Sequence, residues 1–492
     1  MGEIKKQSIL STLTLAIGVL LGFYLKLFAF PAYLEPKEIA LLTVLLDFSN
    51  IMASIIPLGS QLIFMRYLPK FGIYSNEAKY LRKQAFILTL FGLSLFTLLF
   101  FAFKAQIIGY YQDNAPLLSK YFLVILPLVV VRVSNSLATA YSKGQKKSVF
   151  PVISQDILVR VFTIAAILLY SQHVLNFDGL VASYLALYFV TSSLIWISVK
   201  KLGGWDVDLK AKAFTKEERK DILVYGAFSI FTNAGVLMIR SIDSIMLTTL
   251  KDLDAAGIYA IAFFIGILVE IPRRAISNIS FSFLSEAFAN NKMDQIKSIY
   301  QKSALNQLLA GALVYLCIVA SLGYLFQIIP NGEIYAPASM VGVLIGMAKL
   351  VDVSSGGNGE VLANSPFYRY NFASLAILGP LAIVTNIIFI PKLGYVGAAW
   401  ASLLSMFLVN AFRFFIIYWK YKMLPISTNW IKSLVMVLIL FAASTYIPTL
   451  DNPYLGVIVN SSIIGGLFLL STYYFKLSPD FVELVNTKIL RK

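Results

Sequence analysis

KKLGGWDVDLKAKAFTKEERKD, residues 200–221, is the longest and most charged interval between the apolar segments of this chain. On both sides of it the sequence alternates between long apolar runs and short polar stretches. The whole chain has 492 residues, of which 58% are hydrophobic and 13% charged. Soluble domains contain roughly a quarter charged residues. The interval therefore divides an apolar, membrane-type sequence into two halves.

Fourteen apolar runs are each long enough to cross a bilayer, because about 20 residues at 1.5 Å per residue span a hydrocarbon layer of about 30 Å. They are predicted at 8–30, 39–65, 84–103, 119–142, 149–170, 179–199, 222–249, 256–278, 303–328, 336–354, 371–390, 395–419, 432–448 and 454–475. A membrane β-barrel would instead show alternating segments of about ten residues. The predicted fold class is an all-α polytopic membrane protein.

Positive charge is sorted between alternate loops, which predicts the orientation. One set of loops contains most of the 41 Lys and Arg residues, whereas the opposite set has only Lys37, Lys104, Lys120, Lys251 and Lys392. Basic loops are retained on the cytoplasmic side. The central interval and both termini are therefore predicted in the cytoplasm. The net charge of +16 then reports topology and contact with anionic membrane lipids rather than a nucleic-acid partner.

An offset of about 218 residues relates the two halves. GLVASYLALYFV at 179–190 resembles GAAWASLLSMFLV at 397–409, and EAKYLRKQAFIL at 77–88 resembles DQIKSIYQKSAL at 294–305. Both halves begin in the cytoplasm, which predicts a parallel repeat with its axis along the membrane normal. The predicted organisation is an N-terminal six-helix lobe (1–200), a cytoplasmic inter-lobe loop (201–221), a C-terminal six-helix lobe (222–420), and an appended helix pair with a cytoplasmic tail (421–492). A short surface helix is predicted in the inter-lobe loop, at KEERKD.

Basic residues inside the spans are the candidate substrate-binding groups. An uncompensated cation at the centre of a membrane helix costs about 2.5–3.5 kcal/mol, so such a residue faces protein or a water-filled cavity. These residues are Lys26, Arg132, Arg160, Arg240 and Arg413. Lys26, Arg132 and Arg413 have no acidic neighbour one turn away. They have the strongest claim to bind an anion.

Acidic residues inside the spans are predicted as charge partners or ion-coupling sites. They are Asp47, Asp156, Asp243 and Asp352. Spacings of three or four residues, which share one helix face, relate Asp156 to Arg160, Arg240 to Asp243, and Lys349 to Asp352. Two interpretations stay open: pairing within the helix, or a cavity where a substrate anion or a coupling ion competes for one member.

Two further polar groups are less specific. Asp47 and Asn50 form a polar face in the second span, which suits a proton or cation site or a partner for a cation on another helix. Glu270, Arg273 and Arg274 lie beside Pro272 and are interpreted mainly as an interfacial cluster, with gating as the alternative.

Signatures of enzymes and metal sites are missing from the sequence. His173 is the one histidine and Cys317 the one cysteine, so no Cys/His group can hold zinc. The Gly-rich segment SSGGNGE at 354–360 lacks the Lys of a phosphate-binding loop. It is interpreted as a flexible helix end, or as a break that bends during transport. We expect neither enzymatic activity nor a cofactor or metal.

Three further stretches are informative: IRSIDSIMLTTLKDLDAAGIYAIAF at 239–263, LGYVGAAWASLLS at 393–405 and GVLLGFYLKLFAF at 18–30. They resemble the multidrug/oligosaccharidyl-lipid/polysaccharide (MOP) exporter superfamily, in particular its polysaccharide flippase branch. The matching positions are Asp243, the run Gly257, Ile258, Tyr259 and Ala262, and the cationic Lys26.

The resemblance implies two lobes arranged as a V, as in MATE transporters. It implies alternating-access export of a lipid-linked anionic saccharide, of the undecaprenyl diphosphate type. Such a substrate serves cell-surface polysaccharide synthesis, including lipopolysaccharide, at a bacterial or archaeal plasma (inner) membrane. Implied partners are an H⁺ or Na⁺ coupling ion and a polysaccharide polymerase or glycosyltransferases.

Three alternatives to this function stay open. One is a cation-coupled multidrug antiporter, which the predominance of basic groups disfavours. Another is a peptidoglycan-precursor flippase, which the appended helix pair favours. The third is a non-transporting scaffold, against which the insertion cost of the buried charges argues.

Overall fold

A computed structural model of the chain describes residues 14, 17–71, 74–145, 147, 149–201, 203, 205–211 and 214–489. Side chains are described at all these positions except 228, 229, 231–234, 236, 239, 240, 274, 275, 278, 279, 282, 488 and 489. All regular secondary structure within these ranges is helical. The prediction of an all-α membrane protein is confirmed.

Two compact units make up the chain, Met1–Gly257 and Ile258–Lys492. The first contains α1 (Ile17–Tyr33), α2 (Pro36–Ile55), α3 (Ser60–Tyr67), α4 (Asn76–Ala102), α5 (Lys104–Asn114), α6 (Phe122–Gly144), α7 (Val149–Ser171), α8 (Phe177–Lys201) and α9 (Lys216–Leu250). From α10 (Leu253–Ile267), which crosses the boundary, the second continues with α11 (Ile271–Ala289), α12 (Met293–Ile328), α13 (Ser339–Ser354), α14 (Asn358–Asn364), α15 (Tyr368–Tyr421), α16 (Thr428–Ser444), α17 (Pro453–Tyr474) and α18 (Pro479–Leu484). Shorter helical segments lie at Leu68–Lys70, Pro116–Lys120, Gly332–Tyr335, Ala336–Ala338 and Val485–Ile489. The predicted lobe boundaries stay a prediction.

Within the described ranges, ten helical segments are long and apolar enough to cross a membrane. Shorter apolar helices lie at Ile17–Tyr33, Ser241–Leu250 and Thr428–Ser444. The longest segment, α15, is bent at Gly394, whose φ of 58° and ψ of −135° are not helical. A positive φ with that ψ is readily adopted by glycine alone. When α15 is divided there, these segments correspond to the fourteen predicted spans of a multi-pass membrane protein.

The start of α9 differs from the prediction of a separate surface helix. Thr215 caps the helix: its hydroxyl accepts from the Glu218 N–H at 3.3 Å, and the Glu218 carboxylate accepts from the Thr215 N–H at 2.8 Å. This reciprocal capping box satisfies two backbone donors that the first turn of a helix leaves without partners. KEERKD is therefore the first part of α9 and continues into the seventh span, so the prediction of a separate helix was wrong.

A close backbone approach joins the start of α10 to the start of α2. A Cβ at Gly257 would lie 1.9 Å from the carbonyl oxygen of Pro36. Only glycine fits there, so α10 begins against the start of α2. Glu35 and Glu38 form a second capping box at that start. The glycine of the GIY motif thus serves packing.

The two C-terminal membrane helices are packed into the second unit. A Cβ at Gly456 of α17 would lie 2.6 Å from the Tyr324 ring on α12. The Asn460 amide donates to the Ala320 carbonyl at 2.8 Å, and the Ser321 and Ser461 hydroxyls are 3.1 Å apart. Small and polar residues at a helix interface are a common means of membrane-helix association. The appended pair is therefore docked along α12.

Candidate functional site

Charged and aromatic side chains from five helices of the first unit converge. We call this group the cationic cluster and define it as Lys26 on α1, Asp47 and Asn50 on α2, Arg132 on α6, Asp156 and Arg160 on α7, and Tyr184 and Tyr188 on α8. Three cations and two carboxylates give its described side chains a net positive charge. The sequence predicted each of its charged members, but not that they meet.

Two of these residues lie in π-helical segments. Lys26 is in Leu25–Ala29, within α1, and Asp156 is in Ser154–Leu158, within α7. A π-helical turn adds a residue to the ordinary turn, is rare, and occurs often at functional sites. Here the wider turns place Lys26 and Asp156 at the cluster. These π-helical turns are not predicted by a sequence pattern of 3.6 residues per turn.

Lys26 and Asp47 face each other between α1 and α2. The Lys26 ammonium donates to the Thr43 hydroxyl at 3.2 Å and lies 4.7 Å from the centre of the Phe30 ring. Asp47, one turn after Thr43, attracts Lys26 electrostatically and accepts a hydrogen bond from Ser241. Asp47 therefore has a cationic neighbour on another helix, which is one of the two interpretations made from the sequence.

Arg132 is held by neutral groups. Its Nε donates to the Asn50 side-chain oxygen at 2.8 Å, and its guanidinium lies 5.2 Å from the centre of the Tyr188 ring. It is roughly 15 Å along α6 from Phe122, at 1.5 Å per residue, which is half of a hydrocarbon layer of about 30 Å. Arg132 thus brings positive charge deep into the unit without a carboxylate in its described contacts.

Arg160 pairs with Asp156 along α7. Their closest nitrogen and oxygen are 3.4 Å apart, and both side chains are partly exposed. Two glycines of α1 provide the space: a Cβ at Gly18 would lie 2.7 Å from the Arg160 guanidinium, and one at Gly22 would lie 3.1 Å from its Nε. The predicted pairing within the helix is present.

A polar network extends the cluster between α6 and α7. The Gln155 amide donates to Asn135 at 3.0 Å and to the Thr139 hydroxyl at 2.6 Å. Tyr184 and Tyr188, one turn apart on α8, stack edge-to-face with ring centres 5.2 Å apart. These neutral residues were not predicted, because the candidate site residues were chosen by their charge. The spacing of one turn that places Tyr184 and Tyr188 on one helix face could have indicated them.

Two predicted residues of α9 are only partly described. Asp243 is buried, with 1% of its surface exposed. The Arg240 side chain lies outside the described residues. The role of this pair therefore stays a prediction.

The second unit holds a network of ion pairs between helices. Arg273 on α11 pairs with Asp352 on α13, and also with Glu360 on α14 at 3.5 Å. Lys349 pairs with Glu270 at 3.0 Å. These contacts correct one prediction, because Lys349 pairs with Glu270 and not with Asp352. Glu270 and Arg273 are partly buried members of this network, and the Arg274 side chain lies outside the described residues. The interfacial cluster therefore stays a prediction.

Arg413 lies next to this network without joining its ion pairs. Its Nε donates to the Ser374 hydroxyl at 2.8 Å, and Asp352 and Glu360 attract it electrostatically. Asn410, one turn earlier on α15, donates to Asp352 at 3.1 Å. Three cations and three carboxylates balance among the described charges here: Glu270, Arg273, Lys349, Asp352, Glu360 and Arg413. The described charges of this network therefore balance, whereas the cationic cluster as defined has three cations and two carboxylates.

Residues 5–273 of the chain match the family of polysaccharide biosynthesis proteins. A relative is the probable low-salt glycan biosynthesis flippase Agl15 of Haloferax volcanii. It is 24% identical over 375 residues, which cover 74% of this chain and 75% of the relative.

Two solved structures share the fold. The lipid II flippase MurJ in an inward closed conformation superposes with a TM-score of 0.70 at 13% identity, over 95% of this chain and 99% of that chain. An inward-facing multidrug resistance MATE transporter of the MOP superfamily gives a TM-score of 0.62 at 14% identity, over 89% and 100%. The predicted resemblance to the MOP superfamily is confirmed.

Proposed function

The chain belongs to the polysaccharide biosynthesis protein family, and from this premise we propose that it is a flippase for a lipid-linked anionic saccharide. The substrate is a glycan on a carrier of the undecaprenyl diphosphate type, moved across the plasma membrane by alternating access for cell-surface polysaccharide synthesis. The cationic cluster of the first unit carries the proposal. The relative Agl15, a probable low-salt glycan biosynthesis flippase that the match covers over 75% of its length, supports it.

The negative charge of the carrier phosphates is the main barrier to crossing the membrane. A charged group at the centre of a bilayer costs several kcal/mol on insertion scales. Arg132 can offset that cost at mid-depth, because its described partners, Asn50 and Tyr188, are neutral. Guanidinium binds phosphate oxygens through two parallel N–H donors. Lys26 and Arg160 add positive charge to the cluster.

Removal of the Arg132 charge tests this function. Proteoliposomes would contain fluorescent undecaprenyl diphosphate-linked disaccharide in both leaflets, and an impermeant reductant would report its exchange. We expect Arg132→Gln to lower the flipping rate at least tenfold, while membrane insertion is unchanged. Arg369→Gln, at an exposed arginine of α15, is the matched control and should flip at the wild-type rate. Wild-type flipping by Arg132→Gln would contradict the role of the cluster.

Asp47 favours a second candidate, a cation-coupled antiporter. Its carboxylate interacts with Lys26 and Ser241, and it can exchange this pairing for a proton or Na⁺. Under this candidate, Asp47→Asn abolishes uptake of an organic cation into vesicles with an imposed ion gradient. For the flippase, the same variant should keep exchange of the saccharide lipid in the absence of a gradient. A lipid II arm in the same assay separates a surface-glycan flippase from a peptidoglycan-precursor flippase.

A further inference from the structure

An apolar cavity lies in the first unit, separate from the cationic cluster. Its volume is about 510 Å³, within the range of sites that hold one small molecule. Its walls come from α2, α4, α5, α6, α9 and the short helix at Pro116–Lys120, and they are dominated by phenylalanine and aliphatic side chains, among them Phe48, Phe96, Phe100, Phe122 and Ile245. A cavity lined in this way does not hold water stably.

The polar atoms in the cavity wall are largely satisfied by the protein. The Tyr111 hydroxyl is 2.7 Å from that of Thr249, and the Tyr110 hydroxyl donates to the Thr249 carbonyl at 3.3 Å. Both tyrosines belong to α5 and line the cavity, and both bond Thr249 of α9. An occupant gains little from hydrogen bonding here and gains from burying hydrocarbon.

The cavity borders the face of α4 that contacts lipid. Leu99 and Phe103 line it and are 46% and 54% exposed. Their neighbours on α4, such as Leu98 at 68%, are exposed as well, and exposed apolar side chains of a spanning helix contact lipid. An occupant therefore enters from the bilayer.

The cavity and the cationic cluster share a wall. On α2, Thr43 and Asp47 face the cluster, whereas Val44 and Phe48, the next residue in each case, line the cavity. On α9, Ser241 bonds Asp47, and Ile245, one turn later, lines the cavity. The hydrocarbon and anion sites therefore lie on adjacent faces of α2, and one turn apart along one face of α9.

We propose that this cavity binds a section of the polyprenyl chain of the lipid-linked substrate. The choice of a polyprenyl chain rests on the proposed function, because the neighbouring cluster would bind the phosphates of the same carrier. Binding of the chain beside the cluster keeps the carrier at the protein while its head group crosses. A phospholipid acyl chain is the competing occupant.

Two leucines of α4 provide a matched test. Leu99 lines the cavity and Leu95, one turn earlier, does not, yet they are 46% and 45% exposed. Undecaprenyl monophosphate and phosphatidic acid are each titrated into the purified full-length protein in detergent, and bound lipid is counted by native mass spectrometry. We expect Leu99→Trp to weaken undecaprenyl monophosphate binding at least fivefold, and Leu95→Trp to leave it unchanged. Neither variant should alter phosphatidic acid binding.

Three outcomes would overturn the site: equal effects of the two tryptophans, no effect of Leu99→Trp, or equal loss of phosphatidic acid. Ile245→Phe fills the cavity from α9 and decides the question if Leu99→Trp does not fold. The flipping assay separates this site from the proposed function. If the wild-type protein does not flip the saccharide lipid but Leu99→Trp selectively weakens undecaprenyl monophosphate binding, the polyprenyl site stands and the proposed function fails. If the wild-type protein flips the saccharide lipid and Leu99→Trp does not weaken that binding, the proposed function stands and the site fails.

Discussion

At the scale of single residues, the partners of each cation separate two roles. Arg160 and Arg273 are paired with carboxylates, so their charges are largely compensated where they lie. Arg132 and Arg413 donate to the neutral Asn50 and Ser374. Their charge remains available to an anion, more completely at Arg132 because carboxylates attract Arg413. The sequence already indicated that Arg132 and Arg413 are unpaired within their own helices, because neither has an acidic residue one turn away.

The position of Arg160 depends on glycine, which gives a prediction at this scale. A Cβ at Gly22 would lie 3.1–3.5 Å from Arg160 guanidinium atoms, so Gly22→Ala should displace this flexible side chain at little cost in stability. We expect a flipping rate at least threefold lower and a thermal midpoint within about 2 °C of wild type, since a change below 1 kcal/mol shifts the midpoint of a large domain only slightly. Gly466→Ala on α17, where a Cβ meets nothing within 4 Å, is the control. A wild-type flipping rate would mean that the placement of Arg160 is unimportant.

One physical reason explains which ion-pair partners could not be predicted from the sequence. Pairs within a helix can be inferred from spacing, as for Asp156 and Arg160, because both side chains project from one face. Lys349 and Glu270 lie on different helices, and their pairing depends on packing that no local pattern encodes. The sequence therefore identified charged positions well and partners between helices poorly.

At the scale of helices, the break between α13 and α14 places a carboxylate. Gly356 and Gly357 have φ of 71° and 83°, and a Cβ at Gly356 would lie 2.4 Å from that of Ala304. The chain turns there and restarts at Asn358, which brings Glu360 to Arg273. SSGGNGE, interpreted as a flexible helix end, forms a defined turn that joins two helices of the network.

The network around Arg273 should be essential for the stability of the second unit. Arg273→Gln leaves Asp352 and Glu360, whose side chains are 9% and 15% exposed, without their main cation. Loss of one member of a buried pair costs about 3–5 kcal/mol. We expect a clearly lower unfolding midpoint in detergent, and partial recovery in Arg273→Gln with Asp352→Asn, which removes one uncompensated charge.

The exposed Arg369→Gln is again the control for loss of a positive charge. An unchanged midpoint in Arg273→Gln would show that water or Arg413 compensates the carboxylates. If the unfolding midpoint of the double variant does not recover, the contact of Arg273 with Glu360, rather than that with Asp352, provides the stabilisation.

At the scale of the whole molecule, the span number and the fold class could be predicted from the sequence, whereas the predicted lobe boundaries stay a prediction. Hydrocarbon thickness fixes the length of each span, so fourteen apolar runs predict fourteen helices. The break in α15 at Gly394 lies between the predicted spans 371–390 and 395–419. The close approach of Gly257 to Pro36 could not be predicted, because a glycine in the sequence does not reveal which backbone it approaches.

The orientation of the molecule is the remaining whole-chain prediction, and charge sorting makes it testable. Lys210 lies in the basic central interval. Lys251 lies in the short connection between α9 and α10, which charge sorting predicts on the outer side. Both side chains are exposed. Because basic loops stay on the cytoplasmic side, a membrane-impermeant maleimide added to intact cells should label Lys251→Cys and not Lys210→Cys. Both variants are made in a Cys317→Ser background, which removes the one native thiol. Permeabilised cells control for reactivity and should label both variants. The reverse pattern in intact cells would invert the topology, and would place the basic face of this protein outside the cell.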